Sequence, residues 1–266
     1  MKIAIRGIGL LADGLVGWQS SRAILAGRHP FRSDGVPEPE AALLPPNERR
    51  RSSAPVRWAV HVAQEAIVQS GLDAQEVLTV FASSEGEVDV FDKLCKTLAT
   101  SERVISPTLF HQSVHNTAAG YWGIATAGQQ SSTALSCFDD SFAAGLLEAV
   151  TVVWVEQSPV LLVAYDLPVP APLYEARPIA EGFAVALVLG PHSDDSTAVM
   201  RVRFEAACMG ETVCLDDPRL EQVRRSNPAA RSLPLLSAIA AGGARTIRLN
   251  LLDNQQCVLD LESCHI

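Results

Sequence analysis

Cys137 is the residue with the most chemistry within reach. It stands between a run of strand type, Ser132–Ser136, and the start of a helical run at Ser141. Helix amides and the macrodipole at such a junction favour an anion and can activate a thiol as a nucleophile. Asp139 and Asp140 lie beside it and oppose that effect, so local chemistry favours a structural thiol. No G-x-S-x-G elbow is present, which leaves a serine hydrolase without support. His111 and His115 are spaced i, i+4 and could share a metal on a helix. No Glu follows the first of them and no third ligand is evident, so a structural or interfacial pair is expected.

Other groups carry weaker signals. Gly7-Ile8-Gly9-Leu10-Leu11-Ala12 has the G-x-G-x-x-A form of a dinucleotide loop, but residues 28–37 (RHPFRSDGVP) cannot supply the second strand and its acid. A tight structural turn is expected there instead. Cys208 and Cys214 do not match zinc spacing, and Cys264-His265 is expected to fray at the terminus. Arg49, Arg50 and Arg51 could meet a phosphate or phosphopantetheine, although such a run is more often solvated. No cofactor and no metal are expected.

These residues must be held by an ordered sequence of elements. A strand over residues 2–9 leads to a short helix over 18–26. A Pro-rich surface connection covers 29–54. The clearest helix opens at Pro55, closes at Gly71, and places Val56, Ala59, Val60, Ala63 and Ile67 at helical spacing. Strands are expected at 77–82, 132–136, 160–165 and 183–189, with helices at 89–98, 113–126 and 141–153 between them. Strands alternating with helices predict an α/β layered domain ending near residue 190. Beyond it, residues 191–266 read as a small extension. It has a strand around 199–208, a polar stretch, a helix over 233–241, and a strand pair at 246–251 and 256–261.

Composition narrows the function. The chain has 266 residues, with 21 Lys plus Arg and 30 Asp plus Glu, for a net charge of −9. With 48% hydrophobic and only 19% charged residues, it is not intrinsically disordered. The acidic balance argues against nucleic-acid binding, which needs a basic face. The longest apolar stretch, 142–155, is interrupted by Glu148 and is too short to cross a bilayer. The start, MKIAIRGIGLLADG, is broken by Arg6 and reads as a strand rather than a signal peptide. A cytoplasmic protein with reduced cysteines is expected.

Taken in order, residues 1 to about 190 resemble the N-terminal half of β-ketoacyl-acyl carrier protein synthases. The resemblance rests on IAIRGIGLLADG with AILAGRHPF, then VRWAVHVAQEAIVQSGL. It continues through Val114-His115-Asn116-Thr117-Ala118-Ala119-Gly120, similar to an Asn-x-Ala-Ala-Gly segment, and Ser132-Thr133-Ala134-Leu135, similar to a Thr-Ala-Cys approach strand. Glu181-Gly182-Phe183 onward resembles the closing strand of that half. The resemblance implies a thiolase-like fold, present as its N-terminal half with a small C-terminal extension.

Two departures shape the functional expectation. Aligning Thr133-Ala134 puts Leu135 at the nucleophile position, aligning the following helix puts Asp140 there, and Cys137 fits neither register. Neither a leucine nor an aspartate can form the acyl thioester. Residues 191–266 are too few for the second thiolase repeat with its two histidines, and His192 and His265 lie in no matching motif. The chain is therefore similar to ketosynthase-like N-terminal-domain proteins and, in role, to chain length factors of type II polyketide, fatty-acid-like and aryl-polyene systems. That implies a non-catalytic subunit paired with a full-length ketosynthase, with the acyl carrier protein met only indirectly. The partner interface and acyl-tunnel floor would comprise Leu109, Phe110, His111, Gln112, Ser113, Val114, His115 and Asn116 with Ser132, Thr133, Ala134 and Leu135. The alternatives are an acyltransferase using Cys137 with His111 or His115 as base, and a homodimeric acyl-binding scaffold.

Overall fold

The structure is a computed structural model that describes residues 2–192, 196–206, 214–252 and 254–262. In chain order its elements are β1 (Lys2–Ala12), β2 (Leu15–Val16), α1 (Trp18–Leu25), α2 (Pro46–Arg51), α3 (Ala54–Ser70), β3 (Leu78–Ala82), α4 (Val88–Leu98), α5 (Pro107–Gln112), α6 (Thr117–Thr126) and β4 (Ser132–Leu135). They continue with α7 (Ser141–Glu156), β5 (Val160–Asp166), β6 (Phe183–Pro191), β7 (Ala198–Ala206), α8 (Pro218–Ser226), α9 (Leu233–Ala241), β8 (Arg245–Leu251) and β9 (Gln255–Leu261). The strands form one mixed sheet in the order β4-β3-β5-β6-β1-β7-β9-β8, with β2 paired to β1. β3 runs parallel to β4 and β5, and the remaining pairs are antiparallel.

The centre of the sheet is apolar on both sides because both faces are covered. Every residue of β5 is buried, as is all of β6 up to Gly190. One face packs on α7 and α9, where Phe142, Leu146, Val150, Leu236 and Leu162 share a core. The other packs on α3 and α6, where Trp58, Val62, Ala66, Tyr121 and Leu161 share a second. α3 starts with Pro55 in its first turn and stops at Gly71, whose φ of 68° ends the helix left-handed.

The strand at the N-terminus differs from expectation. No turn forms at Gly7 and Gly9; β1 runs through both to Ala12. The glycines serve close packing instead. A Cβ on Gly7 would stand 2.0 Å from the Ala66 carbonyl oxygen, and one on Gly9 2.0 Å from that of Val62. α3 rests directly on the β1 backbone, and its side chains complete the contact. Gln69 Oε1 accepts from the Ile8 amide at 2.7 Å, and Glu65 accepts from those of Leu10 and Trp18 at 3.0 and 2.6 Å. The helix expected over 113–126 is shorter, α6 starting only at Thr117, and a separate helix, α5, precedes it; between the two, Thr117 Oγ1 donates to the Val114 and Gln112 carbonyls. The connection over 29–54 holds α2.

The three strands of the extension continue the same sheet beyond β1, and the core around α7 runs across residue 190 into α9, β8 and β9. The polar stretch before α9 contains α8, capped by Asp217, whose carboxylate accepts from the Arg219 and Leu220 amides.

Candidate functional site

The turn from β4 into α7 is where a strand delivers its last residue to a helix N-terminus. Leu135 ends β4 and Asp140 is the N-cap of α7. Between them the chain makes a 3-10 turn over Phe138–Asp140. The residue at the corner is Phe138. Its φ of 50° is left-handed, a conformation rarely adopted by a large side chain, and the ring is 64% exposed. Cys137 precedes the corner, with its amide donating to Ser141 Oγ at 3.0 Å. Desolvation, helped by the Asp140 charge, holds the Cys137 thiol above its ordinary range, so the neutral thiol dominates near pH 7. Leu135, Cys137 and Asp140 thus flank a corner whose own side chain is a phenyl ring.

Arginines lock this corner. The Arg177 guanidinium lies 3.8 Å above the Phe138 ring centroid. Its nitrogens reach Glu85 at 2.6 Å, Asp139 at 2.5 Å and Ser84 Oγ at 2.5 Å. Arg231, from a 3-10 turn at Ala229–Ser232, holds Asp139 at 2.7 Å and Asp140 at 3.0 Å, and the Leu252 amide donates to Asp140 at 3.0 Å. Both acidic neighbours of Cys137 are therefore committed to ion pairs. Phe138, Arg177, Arg231 and Glu85 were not singled out in the sequence. The ion pairs join residues 38 and 92 positions apart, which leaves no local spacing to read.

A buried carboxylate anchors the loop that offers Ser84 and Glu85. Asp166 Oδ1 accepts from Ser83 Oγ at 3.0 Å and from the Ser84 and Glu85 amides at 2.8 and 3.2 Å. Burial pushes Asp166 up to about 7 against those hydrogen bonds. Glu87, which accepts from Ser53 Oγ at 2.8 Å, is likewise pushed up to about 7 by burial. Each has a second oxygen that is buried without a partner among the described residues. An acid that keeps its proton longer when folded makes the fold lose stability as pH rises from the ordinary carboxylate range to about 7. Glu87→Gln should therefore gain stability over wild type as pH rises, by up to about 3 kcal/mol above pH 7, and little at about pH 4. Thermal unfolding of both proteins across that range checks this; a difference that does not change with pH would contradict it.

The segments expected at an interface meet at one edge of the sheet. Ser132 and Ala134 of β4 line an open cleft of about 490 Å³ with His115, Asn116, Ala119 and Gly120. β4 is an edge strand, paired on one side only. Thr79 donates to the Ser131 carbonyl and Ser83 to that of Leu135, so the backbone groups of Ser132 and Ala134 face outward. Elsewhere in these segments, Phe110 and Val114 are exposed, while Leu109, Ser113, Thr133 and Leu135 are half-buried. Gln112 turns inward and donates to the Arg51 carbonyl and to Tyr121 Oη. His115 Nε2 lies 2.9 Å from the Ser83 carbonyl, whereas His111 is exposed on α5, so the two do not share a helix. Among the described residues no group of three or more His, Cys, Asp or Glu could hold a metal. Cys208, Cys264 and His265 lie outside the described residues. Arg49 is tied to the Ala42 and Leu44 carbonyls and Arg50 to Asn47. No helix of the described residues is long and apolar enough to cross a membrane.

Comparison with known proteins identifies the family and the fold. The family model described as "Beta-ketoacyl synthase, N-terminal domain" matches residues 24–249. No curated protein matches the chain in sequence. Among solved structures, a chain from the complex of the ketosynthase ApeO with its chain length factor ApeC from Xenorhabdus doucetiae superposes with a TM-score of 0.74 at 23% identity, covering 98% of this chain and 99% of that one. A chain from the AntDE:AntF complex, a type II polyketide ketosynthase with its acyl-carrier protein, gives 0.75 at 10% identity, covering 99% of each. The ketosynthase from module 6 of the bacillaene synthase of Bacillus subtilis 168 gives 0.57 at 14% identity, with 86% of this chain spanning 46% of that one. The fold is thiolase-like and corresponds to a single half of a ketosynthase.

Proposed function

Because this chain belongs to the family of β-ketoacyl synthase N-terminal domains, we propose that it is the non-catalytic partner of a full-length β-ketoacyl-ACP synthase. It pairs with that enzyme as a chain length factor does, in polyketide, aryl-polyene or fatty-acid-like biosynthesis. The observation that carries this reading is the corner between β4 and α7. A condensing enzyme needs a nucleophile there, and this chain offers the Phe138 ring, held beneath Arg177. Two carboxylates committed to arginines flank it, and the Cys137 thiol is shifted away from the thiolate.

The free edge of β4 supports the mode of pairing. Its outward backbone groups suit addition of a partner's strand, and the adjoining cleft and the exposed Phe110 and Val114 give that strand apolar surroundings. Leu109, Phe110 and Val114 then reach across to floor the partner's acyl tunnel, while the partner alone carries the acyl group and receives the carrier protein. Residues 1–190 act as the ketosynthase half, and 191–266 as an extension that enlarges its sheet. We place the pair in the cytoplasm.

Reconstitution tests the reading. This chain alone should catalyse no condensation of acyl-carrier thioesters, and adding it to its full-length ketosynthase should form a 1:1 complex and shift the product length. A chain that stays apart from the enzyme and leaves product length unchanged would overturn it.

A further inference from the structure

Resting on the pairing reading, we propose that the ketosynthase partner covers a second surface beside the β4 edge: the outer face of α7, with Trp154 as its anchor. α7 is apolar on every side. From Ser141 to Val155 its only charged residue is Glu148. A helix of that composition normally lies buried all round. Its inner side does so, with Phe142, Leu146, Val150 and Val153 in the core. Its outer side does not. Trp154 is 57% exposed and Val155 66%, Thr151 is exposed, and Leu147 and Val152 are half-buried. The other three tryptophans, Trp18, Trp58 and Trp122, are all buried.

This face is continuous with the β4 edge. Thr133 Oγ1 of β4 donates to Glu148 of α7 at 3.5 Å, so the edge strand and the outer face of the helix form one surface. Val152 and Val155 continue the Glu148 stripe at i+4 and i+7, and Thr151 and Trp154 lie next to it. The pairing also needs the area. β4 has four residues, about 13 Å of strand. A stable heterodimer takes roughly 800 Å² from each partner, about 20–30 residues a side. An edge of that length does not supply it alone, and α7 adds apolar surface directly alongside. Tryptophan suits the centre of such a contact, because it buries a large, rigid area.

Hydroxyl-radical footprinting of the full chain, free and in its 1:1 complex with the ketosynthase, tests the assignment. Oxidation of Trp154 should fall about fivefold or more in the complex. Oxidation of Phe204, exposed on β7 beyond β1 from the β4 edge, should stay unchanged. Trp154→Gln should melt within a few degrees of wild type and bind the ketosynthase on the order of tenfold more weakly. A 1:1 complex in which Trp154 oxidises as in the free chain would overturn the inference and leave the pairing standing, as would undiminished affinity of a folded Trp154→Gln protein. Protection of Trp154 in the free chain that grows with its own concentration would assign the face to a second copy and overturn it as well. Failure to form any complex would remove the pairing reading and this inference together.

Discussion

Ala134→Pro is expected to weaken association with the ketosynthase partner on the order of 100-fold while leaving the chain folded. The two halves of that expectation come from the register of β4. The carbonyls of Ser131 and Leu135 accept from β3, so Thr133, in phase with them, turns its backbone to β3 and Ala134 turns its own to the open edge. Proline at 134 removes an outward N–H and sets its ring where a partner strand would lie. It forfeits no bond to β3, so the isolated chain should melt within a few degrees of wild type. Proline at Thr133 should do the reverse and destabilise the chain itself, because that N–H serves the ladder to β3. Titration of labelled protein against the ketosynthase, with thermal unfolding in parallel, separates the two. Undiminished binding by a folded Ala134→Pro protein would remove the β4 edge from the interface.

The second large effect concerns folding. Gly9→Ala should cost about 3 kcal/mol or more and sharply reduce folded yield. One methyl group is a small change, but here it would sit 2.0 Å from the Val62 carbonyl oxygen of α3. That oxygen belongs to helix backbone and cannot swing aside, so α3 would have to lift from β1. Lifting it would also break the grip of Glu65 on the Leu10 and Trp18 amides. Denaturant unfolding of Gly9→Ala beside a neutral surface change such as Gln19→Ala measures the cost. A loss below 1 kcal/mol would mean the close approach of α3 is not required.

This glycine pair shows where the sequence stops being informative. Gly7 and Gly9 announce that no side chain is wanted, but not why. A turn and a helix lying overhead leave the same trace, because the helix residues they touch, Ala66 and Val62, come more than fifty positions later. The elements with local signals were legible: α3 from its proline, its spacing and Gly71, and β5 from an unbroken apolar run flanked by Pro159 and Pro168. α8 was not, since its nine residues expose most of a polar surface and bury only Leu220. The Asp217-Pro218 pair was the available signal, a cap followed by a proline in the first turn.

The candidate site divides the same way. The two interface segments were named from their resemblance to a family pattern, and in the structure His115, Asn116, Ser132 and Ala134 share a cleft. The residue at the corner was not found, because a left-handed backbone at phenylalanine has no signature in composition or periodicity. Arg177 and Arg231 escaped for a different reason. Their partners are distant in sequence, and only the fold brings Glu85, Asp139 and Asp140 to them.

The central claim is that the acyl group never resides on this chain. Intact-mass analysis of both subunits, taken from a purified complex with the ketosynthase after exposure to an acyl-carrier thioester, addresses it most directly. The account predicts the acyl mass on the ketosynthase subunit and an unmodified mass for this chain. An acyl increment on this chain that disappears in Cys137→Ser would contradict it and make the polypeptide an acyltransferase in its own right.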